Sequence, residues 1–552
     1  MVSREKHTYY ILLPLITAII GLIIFSYLLY LTLFSKSQKE KYENPVVASR
    51  VLRGTIYDRN GKIIAIETPY YSCALLLRET QDLNKSAQII GSIVNLDPAF
   101  IVREASKNQL YYQVKRRLSY QEHEQLKNIN LKGMVLEKRY GRSYPQHYHG
   151  GQVVGFTDGE NQGIEGLERV LNSYLSPYPN LNESITYGSD VYLTLDLDLQ
   201  YLLDQEVINI DKEHKTETIV ALILDAKTGE ILASSSFPFF DPNYFNQSSV
   251  DTYQNRVIST MYEPGSVFKV FSLGAVLSNG NNNNLQDFYC DGSYTFSMGN
   301  TDATINCVSA HGLVDFEKML AVSCNGAVAH WALNTNDKQF YSVLSSFGFG
   351  KKVQNELSGE SSGILKHYDS WSARSKSTIA FGQEVGVTAL QIASGATVFA
   401  NEGDLLHPYI IKEIRDSNGN TVLKNERKVA FENVLENSVV QTVLDGMHKA
   451  TLAGGTAIYS SVEGLNVASK TGTAQIADLN APGYSGFKFL ASTLSLVPYE
   501  NPKYVIYMGA LNPSGSTIWG SNITSPAIGS LIANMIRQGK LQSQLSEIIV
   551  LN

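Results

Sequence analysis

The chain has 552 residues, too many for one ordinary domain, so two or three domains are expected. With 43% hydrophobic and 18% charged residues, its composition is that of a globular protein rather than a disordered one. The net charge of -7 comes without a concentrated basic stripe, so the electrostatic footprint of a nucleic-acid binder is missing.

Tyr9 to Phe34 holds no charged residue and is rich in Ile and Leu. A bilayer core takes about 20 apolar residues as helix, so this segment is long enough to span with some tilt. The competing reading is a secretory signal peptide, which has a shorter apolar core and a small-residue cleavage site. Phe34-Ser-Lys-Ser-Gln-Lys39 offers no such site, and Tyr9, Tyr10, Tyr27 and Tyr30 suit interfacial belts. The expectation is an uncleaved single-pass anchor at 9–34, a short cytoplasmic end at 1–8 and the bulk of the chain outside the membrane. Arg4 and Lys6 precede the segment while Lys36, Lys39 and Lys41 follow it, so flanking charge does not decide the orientation.

Ser35 to Asn44 is polar and reads as a stalk. A mixed region at 45–190 follows. It opens on Arg53-Gly54-Thr-Ile-Tyr-Asp58-Arg59-Asn60-Gly61, where Asn-Gly between apolar alternations signals a hairpin and the charges of Arg53, Asp58 and Arg59 suit a structural network. Ser119 to Lys127 reads as helix. Arg142-Ser-Tyr144-Pro145 and Gly163-Ile-Glu165-Gly166-Leu-Glu168 read as loops and helix starts.

From Val191 the texture becomes that of a second α+β domain, 191–552. Val191 to Leu195 alternates as a strand, and a helix opens at Asp198. Leu222 to Ala233 reads as a hairpin, Asn279 to Asn284 as a surface loop, and Val314 to Ala332 as helix with Ser323 and Asn325 near its middle. Thr388 to Asn401 is predicted as a buried helix. Lys470 to Ile476 is predicted as a strand flanked by Leu490–Pro498 and Tyr504–Asn512, with Ile523 to Gln538 as a closing helix. The four cysteines, Cys73, Cys290, Cys307 and Cys324, include no Cys-x-x-Cys pair, so no zinc site is expected. Cys290 and Cys307 flank a Gly/Ser/Asn-rich stretch and are either a disulfide or two buried thiols; Cys324 reads as a small core residue.

Three short strings carry the chemistry: Ser266-Val-Phe-Lys269, Ser323-Cys-Asn325 and Lys470-Thr471-Gly472-Thr473. A serine hydroxyl is a weak nucleophile and needs a base in hydrogen-bond reach. Residues three apart share a helix face, so Lys269 can stand beside Ser266. Each string alone is weak: Ser3–Lys6, Ser485–Lys488 and Lys227-Thr228-Gly229 repeat two of them. The first lies on the polar amino-terminal end, the second reads as a loop and the third as hairpin-turn chemistry. The ordered set of three is the informative signal.

With these strings, the Arg53–Gly61 string and the anchor, the chain resembles a class B penicillin-binding protein, a monofunctional peptidoglycan D,D-transpeptidase; class A β-lactamases share the trio. Arg142-Ser-Tyr-Pro145 and Gly163 to Glu168 look like further family motifs, as do Asp241-Pro-Asn243, Asn255-Arg256, His311-Gly312, Thr388-Ala-Leu-Gln391 and Ala400-Asn401. Gln146 in place of a glycine, Ser-Pro-Tyr-Pro after Leu175 and Val267 in place of a threonine depart from the pattern. The resemblance implies an anchored, elongated α+β pedestal and a penicillin-binding domain built as an antiparallel sheet with flanking helices.

It further implies that Ser266 attacks a stem peptide ending in D-Ala-D-Ala and passes the acyl group to a neighbouring amine. Lys269 is the expected base and Ser323 a proton relay. Asn325 would hold the peptide amide, although either Ser323 or Asn325 could instead position Lys269. Lys470, Thr471, Gly472 and Thr473 are the expected binding strand, and the N–H groups of Ser266 and Thr473 the expected oxyanion hole. To act as base, Lys269 has to be neutral, against an ordinary pKa of about 10.4. A like charge about 4 Å away contributes about 4 kcal/mol at an effective dielectric near 20, and Lys470 is the expected source, with burial adding to it. Glu263 reads as a solvated or capping carboxylate and His311 as a structural histidine. No metal or organic cofactor is implied, β-lactams are the implied inhibitors, and a polytopic glycan polymerase is the implied partner. A compact amino-terminal half favours a division role over elongation. A D,D-carboxypeptidase, a β-lactamase, a β-lactam sensor or a non-enzymatic wall-synthesis scaffold are the alternatives.

Overall fold

A computed structural model describes residues 18–30, 50–180, 183–278, 285–299, 301–477 and 484–543. The stalk at Ser35–Asn44, the loop at Asn279–Asn284 and the Ser3–Lys6 repeat lie outside them. The chain divides into two compact units, Met1–Leu52 with Pro177–Tyr187, and Arg53–Ser176 with Gly188–Asn552. In the first, residues 18–30 form an exposed helix and Arg50–Leu52 pairs in parallel with Ile185–Tyr187. Among the described residues no helix is long and apolar enough to cross a membrane, and the segment expected to do so lies partly outside them.

In the second unit, Ile56–Tyr57 and Ile63–Leu76 form the expected hairpin, with Gly61 at φ 82° in its turn. They belong to a seven-stranded sheet that also takes in Tyr111–Lys115, Met134–Ser143, Asp190–Leu193, Ile411–Arg415 and Thr421–Lys424. The helix Tyr120–Lys127 starts with a capping box between Ser119 and Glu122.

The charges of the Arg53–Gly61 string enter structural networks, as expected, but with partners on distant elements rather than with one another. Arg53 Nε and Arg142 Nε donate to the two oxygens of Glu168 at 2.7 and 2.5 Å. Asp58 accepts from the N–H groups of Asn60, Lys62 and Leu197. Arg59 pairs with Glu230 at 3.0 Å. Gln146, one of the departures from the family pattern, donates to the carbonyl of Ile63 at 2.9 Å.

The remainder centres on a five-stranded antiparallel sheet. Its strands are β1 (Thr218–Asp225), β2 (Ile231–Phe237), β3 (Ala468–Ala477), β4 (Tyr484–Val497) and β5 (Tyr504–Leu511), in the spatial order β3-β4-β5-β1-β2. β3 is therefore an edge strand. The helices used below are α1 (Leu197–His214), α2 (Lys269–Leu277), α3 (Phe316–Val322), α4 (Asn325–Leu333), α5 (Ala389–Ala396) and α6 (Gly520–Arg537).

The sheet is covered on both faces, which explains the unbroken apolar run of β1. Val220, Leu222 and Leu224 pack into one core with Val270, Phe271 and Leu273 of α2 and Leu390 and Ile392 of α5. Ile219, Ala221 and Ile223 point the other way, into a second core with Leu203 and Val207 of α1 and Ile528, Leu531 and Ile532 of α6. Leu222 to Ala233 is the expected hairpin, so Lys227-Thr228-Gly229 is turn, with Gly229 at φ 80°. Ser485–Lys488 is strand, part of β4, rather than the loop expected from its glycines.

The helix expected over Val314–Ala332 is two helices. α3 ends at Ser323, which takes φ 60° and ψ 42°, and α4 begins at Asn325. A left-handed residue breaks the ladder and turns the chain at the serine.

Removing the Glu168 carboxylate leaves two arginine side chains that are each 1% exposed. Glu168→Ala is expected to cost about 3–5 kcal/mol, whereas Lys62→Ala, which breaks a half-exposed pair with Asp198, is expected to cost less than about 1 kcal/mol. Thermal unfolding of the two variants side by side checks this; equal losses would remove the buried triad from its structural role.

Candidate active site

Pro264-Gly265 leads into a 3-10 turn, Gly265–Phe268, that carries Ser266, and α2 starts at Lys269. A 3-10 turn eclipses residues three apart. Lys269 Nζ lies 3.1 Å from Ser266 Oγ. The turn is pressed onto β3: a Cβ on Gly472 would meet Ser492 Oγ at 2.7 Å, Val267 Cγ2 at 2.9 Å and the Pro264 carbonyl at 3.1 Å. Gly472 thus allows a close approach of two backbones.

Lys269 has four oxygen neighbours. They are Ser266 Oγ at 3.1 Å, Ser323 Oγ at 3.1 Å, the Ser323 carbonyl at 2.6 Å and Asn325 Oδ1 at 2.6 Å. The orientation of Asn325 follows from its other end, where Nδ2 donates to the Asn306 carbonyl at 2.9 Å. The two shortest contacts are to oxygens that only accept, so they take two N–H bonds. A neutral amine then has a lone pair left for a hydroxyl proton, whereas an ammonium has a third N–H and no acceptor function. The same distances serve both states: the ammonium puts its third N–H on a serine hydroxyl, and the neutral amine turns its lone pair to one.

The electrostatics raise the share of the neutral amine. Lys269 is fully buried, and burial pushes its ammonium down to about 8. At that value about a tenth of the molecules carry a neutral amine at pH 7, against about four in ten thousand at the ordinary value. The charge of Lys470 is not the main cause, contrary to the sequence-based expectation. Lys470 is itself fully buried and is driven well below its ordinary range, first by burial and then by the charge of Lys269. Lys470 Nζ donates to Ser323 Oγ at 2.9 Å and to the Thr471 carbonyl at 2.8 Å. Both amines therefore meet at the Ser323 hydroxyl.

A cavity of about 220 Å³ opens over Ser266, bounded by Gly265, Asn325, Thr473, Phe381, Gln383, Phe489, Ile518 and Trp519, among others. Thr473 Oγ1 accepts from the N–H of Gly520, leaving its own proton to donate elsewhere. The Thr473 carbonyl lies on the Gly265 side of the edge strand, 3.0 Å from where a Gly265 Cβ would stand. In an antiparallel ladder a residue's N–H and C=O share a side, so the Thr473 N–H also faces the nucleophile turn. Thr471 is buried behind this wall. Phe381, Gln383, Phe489, Ile518 and Trp519 carried no sequence signal, since isolated apolar and amide residues look alike whether they line a core or a cavity.

Glu263 Oε1 accepts from the backbone N–H of Glu384 at 2.8 Å, which makes it a loop anchor. None of the four cysteines is bridged. Cys307 Sγ lies 3.7 Å from Cys324 Sγ, and His311 Nδ1 lies 3.4 Å from Cys290 Sγ. These four side chains adjoin the Ser323–Asn325 turn.

A Gly472→Ala variant has to displace the Ser266 turn or β3. It is expected to lower the rate at which Ser266 reacts with an acylating agent by about 10²-fold with little change in far-UV circular dichroism. An unchanged rate would show that the seam tolerates a methyl group.

Residues 219–533 match the family described as penicillin binding protein transpeptidase domain, and residues 48–186 the penicillin-binding protein dimerisation domain. Stage V sporulation protein D of Bacillus subtilis is 27% identical over 88% of this chain and 78% of the relative. Peptidoglycan D,D-transpeptidase FtsI of Escherichia coli is 25% identical over 88% of this chain and 83% of the relative. Penicillin binding protein 3 of Mycobacterium tuberculosis, solved in complex with aztreonam, has the same fold; it superposes with a TM-score of 0.71 at 22% identity, over 90% of this chain and 98% of that one.

Proposed function

The chain belongs to the penicillin-binding protein transpeptidase family, and on that premise we propose that it is a peptidoglycan D,D-transpeptidase working through a Ser266 acyl-enzyme. The observation that carries this reading is the bonding of Lys269. Its Nζ is held on two carbonyl oxygens within reach of Ser266 Oγ, so that once deprotonated it has a lone pair for the Ser266 hydroxyl.

In this reading a donor stem peptide ending in D-Ala-D-Ala enters the cavity over Ser266. Ser266 Oγ attacks the penultimate carbonyl and Lys269 takes its proton. The developing oxyanion sits between the N–H groups of Ser266 and Thr473, where losing one donor typically costs ~10²–10³ in rate. Ser323, bonded to both amines, relays a proton to the departing D-alanine. The Thr473 hydroxyl takes the terminal carboxylate, with Lys470 and Thr471 behind it, and Asn325 aligns the peptide amide. An amine from a second stem peptide then attacks the acyl-enzyme and closes the cross-link. β-Lactams acylate the same serine and block it.

The compact amino-terminal half and the relatives FtsI and stage V sporulation protein D support a septal role over an elongation role. Tyr9–Phe34 serves as the anchor and 45–190 as the pedestal, and 191–552 works outside the membrane. A polytopic glycan polymerase is the partner that would supply the strands to be joined.

Intact mass after incubation with benzylpenicillin tests the acyl-enzyme. A lasting adduct is expected on wild type and none on Ser266→Ala; no adduct on wild type would favour the scaffold, and rapid drug turnover a β-lactamase. Measured against pH, the acylation rate separates the state of the base. Lys269 acts only when deprotonated, so the rate is expected to rise tenfold per pH unit below about 8 and level off above it. A rise continuing to pH 10 would mean that Lys269 keeps its ordinary pKa and would sink the neutral-amine reading.

A further inference from the structure

We propose that Cys290, Cys307, His311 and Cys324 form a closed structural zinc site that holds the Ser323–Asn325 turn in position. Their ligand atoms, three Sγ and one imidazole nitrogen, all lie within 4.8 Å of one another. A tetrahedral zinc with Zn–S of about 2.3 Å and Zn–N of about 2.05 Å sets sulfur–sulfur edges of about 3.8 Å and sulfur–nitrogen edges of about 3.6 Å. The Cys307–Cys324 and Cys290–His311 distances are 3.7 and 3.4 Å. Two of the edges are thus already those of a filled tetrahedron.

The donor set selects the metal. Three thiolates and one imidazole in tetrahedral array suit zinc and disfavour hard cations that prefer oxygen. Four protein ligands leave no open position, which makes the site structural. The thiols release their protons to solvent as the metal–sulfur bonds form.

The surroundings fit thiolate sulfur. The N–H of Gly326 donates to Cys307 Sγ at 3.3 Å and the N–H of Ala327 to Cys324 Sγ at 3.5 Å. Both come from the first turn of α4, whose free N–H groups and dipole favour negative charge. Cys290 and His311 are held together by their backbones as well, since the His311 N–H donates to the Cys290 carbonyl at 3.1 Å. The Cys307 N–H donates to the Gly292 carbonyl at 2.9 Å. Such outer bonds orient ligands around a metal.

The position gives the site a task. Cys324 lies between Ser323 and Asn325, the two residues that hold Lys269. Asn325 also bonds the carbonyl of Asn306, next to Cys307. A metal joining Cys307 to Cys324 clamps both ends of that link and fixes the left-handed turn at Ser323. The positioning role rests on the reading of Ser323 and Asn325 given above; the metal site rests on its own geometry.

The test starts from full-length protein purified without chelator. Elemental analysis is expected to find about one zinc per chain, lost in Cys290→Ser and His311→Ala and retained in Cys73→Ser, whose thiol lies in the pedestal core. Cobalt exchanged into wild type, which needs no variant to fold, is expected to show tetrahedral d–d bands and thiolate charge transfer. Stripping the metal is expected to slow penicillin acylation tenfold or more, with recovery on adding zinc. Reduced wild-type protein with neither zinc nor a cobalt spectrum would overturn the site, as would a Cys307–Cys324 disulfide in the purified protein. Zinc present with acylation unaffected by its removal would overturn the positioning role alone and leave the transpeptidase reading standing.

Discussion

The site depends on keeping two lysine amines out of water. Lys269 and Lys470 are fully buried, and both are bonded to hydroxyl, carbonyl and amide oxygens. An ammonium in such a place is costly, so the balance moves toward the neutral amine. Burial thus lets a lysine stand where a histidine stands beside other serine nucleophiles. Ser323 is central to the arrangement because its hydroxyl touches both amines.

That burial is a product of the layers around the sheet. α2 is covered along its whole length, so its first residue, Lys269, starts inside the protein. The edge strand β3 brings Lys470 up against Ser323 and leaves the backbone of Thr473 facing the nucleophile turn. The turn and the strand meet at Gly265 and Gly472, where side chains would collide. Precision at the serine is therefore set by backbone packing as much as by the catalytic side chains. The region before α1 shares its seven-stranded sheet with Ile411–Arg415 and Thr421–Lys424, and the bond from Leu197 N–H to Asp58 and the Arg59–Glu230 pair add to that join. Within that region, the Glu168 carboxylate shared by the buried Arg53 and Arg142 forms a hub of its own.

The Ser323–Asn325 turn has a second set of constraints in the neighbouring sulfur and imidazole atoms. The chain reverses at Ser323 in a left-handed conformation that a non-glycine residue adopts at a cost. Contacts on both sides of Cys324 offset that cost. Catalytic order and local chemistry are joined within three residues.

Sequence alone determined the parts that depend on local pattern. Ser266, Lys269, Ser323, Asn325 and Lys470 could be named because three short strings stood in order, and the hairpins at Asn60-Gly61 and Lys227-Thr228-Gly229 because turn residues separate apolar strands. The two-sided burial of β1 left its mark as an unbroken apolar run. The break at Ser323 was hidden, since nothing in Ala-Val-Ser-Cys-Asn announces a left-handed residue. Glu168 as the partner of Arg53 was hidden by distance along the chain. The convergence of Cys290, Cys307, His311 and Cys324 was hidden because its ligands come from separate elements, with no Cys-x-x-Cys spacing to betray it. The tertiary structure also decided why Lys269 loses its proton. Charge can be counted from residue types, but burial is a property of the packed whole, and here burial rather than a neighbouring charge is the larger effect.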